Sequence, residues 1–538
     1  MDNTTIAKKF DLLAKLMELY DENPFRIKSY SQAYVILRKV EKTFASMSLQ
    51  EIDAIPGVGS GISGKIKELL ETGNMKALDV YLNKTPPGIL DMLAIRGFGP
   101  KKVKQIWKTL EIETIGELIY ACNENRIANL KGFGLKTQQE LIENLQYAQE
   151  SKDKWLYSKA FILASELIER LFTLYPLERF QISGELSLQL PIIQKINITA
   201  TIIPGMEHYE NLNITLIAGQ FLCSDIPVFF NVVQKEQFVF QNFILGCSEK
   251  FSASFNSDSK IYSGEEEIFS ALGFPYVHPP RRDNTVFLQK NEFIFPPIER
   301  KQCKGTFHHH TTYSDGIHTL REMQKKATLL AYDYIVVSDH SQSAFYANGL
   351  KMERVEAQWQ EIDQINSEKS GSFMIKGIES DILNDGALDY PDHFLTGFEC
   401  VIASIHSNLK MDEEKATHRL IKAIENPFTR ILGHPTGRLL LSRQGYPVDM
   451  EKVIDACSAN GVAIELNANP RRLDIDYTWL DYVAKKNVLL SINPDAHSAD
   501  AIEHIIFGIK VVQKINFNPE NILNTWEHDK VLKWLDSK

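Results

Sequence analysis

Long apolar runs are missing from this 538-residue chain: no stretch of about 18 apolar residues occurs in it, which argues against a membrane-spanning helix. The opening MDNTTIAKKFDLLAKLMELY is amphipathic and lacks the apolar centre of a secretory signal. Cysteine is sparse. The six residues Cys122, Cys223, Cys247, Cys303, Cys400 and Cys457 contain no CxxC pair, so neither a disulfide framework nor a thiolate zinc site is indicated, and a reducing, cytoplasmic location is expected. Also absent are a GxSxG elbow and a P-loop, so a serine nucleophile need not be invoked. An excess of cations is missing too: the net charge is −10. That would ordinarily speak against a nucleic-acid partner. Residues 1–150, however, carry nearly equal acids and bases, so whole-chain charge does not decide the matter.

What is present begins with length, which exceeds one hydrophobic core and predicts three or four domains. Residues 1–150 read as short helices, with apolar residues at three- and four-residue spacing. Three segments repeat: Ile55-Pro-Gly57-Val-Gly59, Ile95-Arg-Gly97-Phe-Gly99 and Leu130-Lys-Gly132-Phe-Gly134. Each places an apolar-x-Gly-apolar-Gly turn before a helix, the helix-hairpin-helix signature. Two glycines let the backbone turn tightly, so that unpaired N–H groups of the next helix face an anion. One copy is equally well a turn between packed helices. Three copies favour contact with a DNA backbone through Gly57, Gly59, Gly97, Gly99, Gly132 and Gly134, with Lys101, Lys102 and Lys136 beside them. Such contacts position a duplex without reading its sequence.

From about Asp153 the pattern changes. Ile196 to Ile203, Leu212 to Ile217, Val228 to Val233 and Phe238 to Leu245 are rich in β-branched or aromatic residues and are predicted as strands, followed by a helix over Ser263 to Leu272. A mixed α/β region results. The proline-rich pieces at His278-Pro-Pro-Arg-Arg and Pro296-Pro297 lead into the last part.

After Lys304 a strand-then-helix rhythm repeats seven times, with strands at Thr306 to His308, Tyr334 to Val337, Met374 to Ile378, Cys400 to Ala403, Arg430 to Leu432, Val462 to Leu466 and Val488 to Ile492. That is a β/α barrel or something close to it. Twelve of the fourteen histidines lie in this part. They fall at the C-terminal ends of the strands. The first run brings His308 and His310, then Asp315; the second ends in Ser338-Asp-His340; the third in Glu379 with Asp381 beyond; the fourth in His406; the fifth in His434; the seventh in Asp495 and His497. Loops at that face of a barrel converge on one site. Alternation puts His308 and His310 on one side of an extended segment and His309 on the other, as a packing or surface residue.

Nine candidate ligands exceed the needs of one ion, so two or three divalent metals are predicted, bridged by Glu379 and Asp495. Donors of this kind accept zinc, manganese or iron. Clustered metals acidify a bound water and neutralise phosphoryl oxygens, which points to phosphoester hydrolysis. Arg438 and Arg472 are candidates to hold a non-bridging phosphate oxygen, or else are solvated surface arginines.

His308-His-His310-Thr-Thr-Tyr-Ser-Asp315, Ser338-Asp-His340, Gly377-Ile-Glu379-Ser-Asp381, Ser404-Ile-His406, Gly433-His434-Pro and Asn493-Pro-Asp495-Ala-His497 closely resemble the motifs of the PHP (polymerase and histidinol phosphatase) domain. The resemblance implies a distorted (β/α)7 barrel with up to three metals. Joined to helix-hairpin-helix repeats, the arrangement resembles a bacterial family X DNA polymerase with a C-terminal PHP domain. It implies a helical lyase-like domain at 1–80, a fingers-like domain with two hairpins at 81–152, a polymerase palm and thumb at 153–300, and the PHP domain at 301–538. The family's Gly-Ser motif and Asp-x-Asp pair align here with Gly184-Glu185 and with Lys195 and Asn197; its third aspartate aligns with Phe229, and its Thr-Gly-Ser piece with Leu245-Gly246-Cys247. Without carboxylates a two-metal nucleotidyl-transfer site cannot assemble, so this part is expected not to polymerise. Lys65 takes the place of the family's Schiff-base lysine, but Gly61 stands where a partner lysine would be, which favours passive phosphate binding by Lys65.

The expectation is therefore a monomeric, sequence-nonspecific DNA-repair phosphoesterase acting on gapped, nicked or 3′-ended DNA, by exonuclease action, abasic-site incision or 3′-phosphate removal. The rival readings are a working gap-filling polymerase, a non-catalytic DNA-binding scaffold and a small-molecule phosphatase of the histidinol-phosphate kind.

Overall fold

A computed structural model describes residues 1–537 except 41, 96, 124–125, 129, 151, 256–259 and 290–292. The chain divides into two compact units, Met1–Lys152 and Asp153–Lys538. Among the described residues no helix is long and apolar enough to cross a membrane.

The first unit is helical. Its leading helix, Asn3–Leu19, starts on an Asp2 cap that accepts from Thr5 N at 2.8 Å. Ile6, Phe10, Leu13 and Met17 lie on its buried face. They share one core with Ile66, Met92, Ile106 and Leu141, which lie far along the chain. The helices Ser60–Thr72, Pro100–Leu110 and Leu135–Glu150 each begin directly after the second glycine of a hairpin. The first glycine of each pair has a positive φ: 84° at Gly57, 75° at Gly97 and 85° at Gly132. Those turns need a residue without a Cβ.

In the second unit, helix Tyr157–Leu174 packs on a five-stranded sheet ordered Phe180–Ser183, Ile196–Ala200, Ile226–Val232, Gln220–Cys223 and Ile214–Ile217. Only the pairing of Ile196–Ala200 with Ile226–Val232 is parallel. The segment Phe238–Leu245, predicted as a strand, is a helix. It is apolar almost throughout, so it offers no alternation to separate a strand from a buried helix. Tertiary packing decides: Phe240 and Phe243, one turn apart, join Phe251, Phe255 and Phe269 in an aromatic cluster. The helix expected over Ser263 to Leu272 spans Glu265–Ala271.

The remaining chain forms a seven-stranded parallel sheet in chain order: β1 Gly305–His309, β2 Tyr334–Val337, β3 Phe373–Asp381, β4 Cys400–Ser404, β5 Thr429–Leu432, β6 Ala463–Asn467 and β7 Leu490–Asn493. It curls until its edges nearly meet. Two hydrogen bonds join them at the C-terminal end, His310 N to Ala496 O at 2.9 Å and Ala496 N to His308 O at 3.2 Å. At the other end the fully buried Asn524 does the stitching. Its amide donates to Gly305 O and Ile492 O and its carbonyl accepts from Ile492 N. Phe307, Val336, Ile375, Ile402 and Ile431 fill the interior, with Leu523 and Val531 packed against them.

One core runs through the mixed sheet and the barrel, and two buried cations fasten the joint. Arg281 donates to Gln513 O, Phe295 O and Ile515 O at 2.9–3.0 Å. Lys514 donates to Leu188 O at 2.7 Å, Pro280 O at 3.1 Å and Asp283 Oδ2 at 2.7 Å. Replacing Lys514 by Met orphans two carbonyls and a carboxylate. Unfolding of the full-length variant in urea is expected to show a loss of about 3 kcal/mol; a change under about 0.5 kcal/mol, the size of an ordinary surface substitution, would show that the joint does not depend on it.

Candidate metal centre

The ends of the barrel strands bring the nine predicted ligands together. His310, Asp315, His340 and His497 form one group; His308, His434 and Asp495 a second; His308, His310 and Glu379 a third; His340, Glu379 and His406 a fourth, and within each the potential ligand atoms lie within 4.8 Å of one another. Glu379 is at the centre. Its Oε1 faces His308 Nε2 at 3.2 Å, His406 Nε2 at 3.1 Å and His434 Nε2 at 2.9 Å, while Oε2 faces His340 Nδ1 at 3.0 Å and His310 Nε2 at 3.6 Å. The two oxygens thus serve two sets of imidazoles. Asp495 divides its oxygens differently. Oδ1 lies 3.2 Å from His310 Nε2 and 3.6 Å from both His308 Nε2 and His497 Nδ1, whereas Oδ2 is held by Arg472 Nε at 3.3 Å and Asn467 Nδ2 at 3.1 Å.

The first strand reaches this arrangement by more than alternation. Phe307 packs inside the barrel, so strict alternation would point His309 inward and His308 away. A register break between Thr306 and His309, with His308 at φ 63°, resets the phase. Both His308 and His310 then enter the centre, while the buried His309 bonds through Nδ1 to Val336 O at 2.9 Å. Asp495 also takes a left-handed backbone, φ 51°. Strained non-glycine residues of this kind concentrate where side-chain direction matters more than backbone comfort.

The electrostatics are those of a site with more donors than protons. Burial raises the Glu379 carboxyl, yet the imidazoles of His406, His308 and His340 hold it well below the usual carboxylate range. Burial likewise opposes charge on His308, but Glu465, Glu379 and Asp495 keep it well above an ordinary histidine. His310 goes the other way: burial, then the neighbouring His497 and His340, push it down to about 4. His308 Nε2, both nitrogens of His310 and Glu379 Oε2 are buried without a hydrogen bond. Imidazole nitrogens and carboxylate oxygens left in this state fit divalent cations.

Several contributors were not among the predicted ligands. Glu465, fully buried in the middle of β6, receives His308 Nδ1 at 2.6 Å. Asp381 receives His406 Nδ1. Both carboxylates fix an imidazole so that its other nitrogen faces Glu379. Asp339, next to His340, accepts from Thr311 N at 2.7 Å, Ser314 N at 3.1 Å and Gln358 Nε2 at 2.6 Å, and so shapes the loop carrying Asp315. One expectation is corrected. Arg438 does not offer a free fork to phosphate: its Nε donates to Arg472 O at 2.9 Å and its two terminal nitrogens to Asp476 and to Leu473 O. It supports the turn that carries Arg472.

In the helical unit, neither Ser60–Thr72 nor Pro100–Leu110 has a side-chain cap, and no acid stands in the first turn of either helix or of Leu135–Glu150. Their N-terminal ends therefore keep the positive end of the helix dipole uncompensated. Lys101 and Lys136 are exposed, and Lys102 Nζ lies 3.5 Å from Gly97 O. Lys65 Nζ donates to Gly61 O at 3.1 Å and lies 5.6 Å from the Tyr30 ring centroid.

In the mixed sheet, Asn197 and Phe229 are register partners, and Lys195 Nζ lies 4.8 Å from the Phe229 ring centroid. Gly184, φ 65°, backs onto this place so closely that a Cβ would lie 2.5 Å from Asn197 Nδ2. Lys195, Asn197 and Phe229 therefore occupy one spot.

Comparison with known proteins extends along the whole chain. Residues 1–75 match a helix-hairpin-helix domain model, and residues 89–146 match a SAM-like helix-hairpin-helix tandem. The DNA polymerase/3′-5′ exonuclease PolX of Bacillus subtilis (strain 168) is 29% identical over 557 aligned positions, covering 97% of each chain. A probable phosphatase of Caldanaerobacter subterraneus subsp. tengcongensis is 28% identical over 248 positions, 43% of this chain and 90% of that protein. A probable phosphatase of Acetivibrio thermocellus is 25% identical over 227 positions, 40% of this chain and 89% of that protein.

Glu465 gives the sharpest test of how the imidazoles are held. Glu465→Gln is expected to weaken retention of manganese or zinc by about 10- to 100-fold, read by metal titration with circular dichroism as a check on folding; unchanged affinity would remove Glu465 from the centre.

Proposed function

We propose that this chain, which resembles the family X DNA polymerases that carry a C-terminal PHP domain, is a metal-dependent phosphodiesterase that processes 3′ ends in gapped or nicked DNA. The observation that carries the reading is the split of Glu379: one carboxylate, 1% exposed, faces three imidazoles with one oxygen and two with the other. His308, His310, Asp315, His340, His406, His434 and His497 would hold two or three ions of manganese, zinc or iron together with Glu379 and Asp495. Divalent ions there supply an acidified water and charge neutralisation for in-line displacement at phosphorus. Arg472 keeps its Nε on Asp495 and would take a non-bridging phosphate oxygen on its other N–H groups. Exonuclease action, abasic-site incision and 3′-phosphate removal would all use these same groups, and exonuclease action is the reading favoured here.

The other parts serve this site. Residues 1–80 and 81–152 bind the DNA backbone through their hairpins, with Lys65 as a phosphate contact. Residues 153–300 keep a polymerase-like form without its chemistry, because a lysine, an amide and a phenyl ring stand where carboxylates would hold magnesium. Residues 301–538 carry the reaction. The protein works as a cytoplasmic monomer on DNA of any sequence. Small-molecule phosphatase action is the second reading, favoured by the probable phosphatases that match the last part alone; it leaves the three hairpins without a role.

Purified full-length protein with manganese and a labelled gapped duplex is expected to remove nucleotides from the 3′ end, to stop on chelation, and to be inactive as the Glu379→Gln, His406→Ala double variant. Cleavage that persists in the double variant would sink the proposal. With all four deoxynucleotides added, no incorporation is expected.

Binding supplies an independent check on the hairpins. Lys101→Ala, Lys102→Ala and Lys136→Ala together should weaken duplex binding equally for unrelated sequences and flatten its salt dependence by about one unit of slope per lost phosphate contact. An unchanged slope would place the DNA elsewhere.

A further inference from the structure

The loop after His340 leaves the metal centre and comes back to it. Leu350 N donates to His340 O at 2.8 Å, so residues 341–349 form a closed excursion with both ends on one candidate ligand. Within it, Ser343 Oγ donates to Asp381 Oδ2 at 2.8 Å, the carboxylate that also receives His406 Nδ1. Ser343 N donates to Asp389 Oδ2 at 2.7 Å. Asn348, in the left-handed region at φ 56°, donates its side-chain amide to Tyr313 O at 3.3 Å and Ser314 O at 3.2 Å, which ties the excursion to the loop carrying Asp315. Gly349 approaches so closely that a Cβ would lie 1.9 Å from Ser341 O.

At the apex of this anchored loop stands Phe345, 87% exposed. An aromatic ring gains by leaving water, yet the anchors on either side keep this one from folding down. Only Ala344 separates it from Ser343, so its Cα lies within about 7 Å of that of Ser343, the span of about two stacked nucleotides of one strand.

We propose that Phe345 stacks on a nucleobase within the last two nucleotides of the strand whose phosphodiester lies at the metal centre. The inference rests on the exonuclease reading above and names what that site selects. Stacking reads no sequence, since every base has a π-face. It discriminates paired from unpaired ends, because a base inside a duplex is already stacked. Phe345 is thus a substrate-positioning residue that favours frayed or single-stranded 3′ ends.

The test compares wild type, Phe345→Ala and Phe345→Trp on a single-stranded 3′ end with bases and on the same strand with its last two nucleosides abasic. On the base-bearing end, F345A is expected to raise KM roughly 5- to 100-fold, with F345W restoring it. On the abasic end all three should have the same KM, and all three should retain the same bound manganese. No change on either strand, or an equal loss on both, overturns the proposal. If wild type hydrolyses neither strand, the exonuclease reading fails, and stacking is decided by binding. A 3′-terminal 2-aminopurine quenched by wild type and F345W but not by F345A supports stacking; equal fluorescence with all three overturns it.

Discussion

A carboxylate placed inside a barrel must be compensated or it will not stay ionised. Taking such a group out of water costs several kcal/mol even after relaxation, and Glu379 is 1% exposed. Five imidazoles surround it, and they come from chain positions between 308 and 434. No local segment could provide them. The acid is tolerable only when strands β1 to β5 stand in the correct order and register, so the centre depends on the whole barrel.

That dependence accounts for the backbone irregularities of the barrel. His308 accepts a left-handed conformation because a regular strand with Phe307 inside would turn both His308 and His310 away from the centre, and Asp495 is left-handed as well. The edges of the seven-stranded sheet do not meet along their length, and the gap is bridged by His310 and Ala496 at one end and by Asn524 at the other. The carboxylates behind the imidazoles extend the same logic outward: Glu465 and Asp381 each hold a ring by one nitrogen so that the other faces the centre.

The mixed sheet offers a contrast within one compact unit. There Lys195 lies against Phe229 beside Asn197. Such a cluster needs no metal to balance it. The sheet keeps its value as a support, through the shared core and the buried Lys514 and Arg281 that fasten it to the barrel.

The sequence by itself determined what depends on local chain chemistry. Paired glycines before a helix permit the positive φ found at Gly57, Gly97 and Gly132 without a steric cost, so the hairpins were legible. So was the barrel, because each strand run ends in a polar cluster at the same phase of the repeat. That rhythm held one unused signal: the sixth run, Val462 to Leu466, contributed no site residue to the reading, although it contains Glu465. Tertiary structure alone decided the rest. It made Phe238–Leu245 a helix because an aromatic cluster was there to receive it, turned Arg438 onto carbonyls and Asp476, and moved His308 inward through a register break. In each case neighbours distant in the chain outweighed a local preference, and no sequence pattern records which neighbours a side chain will meet.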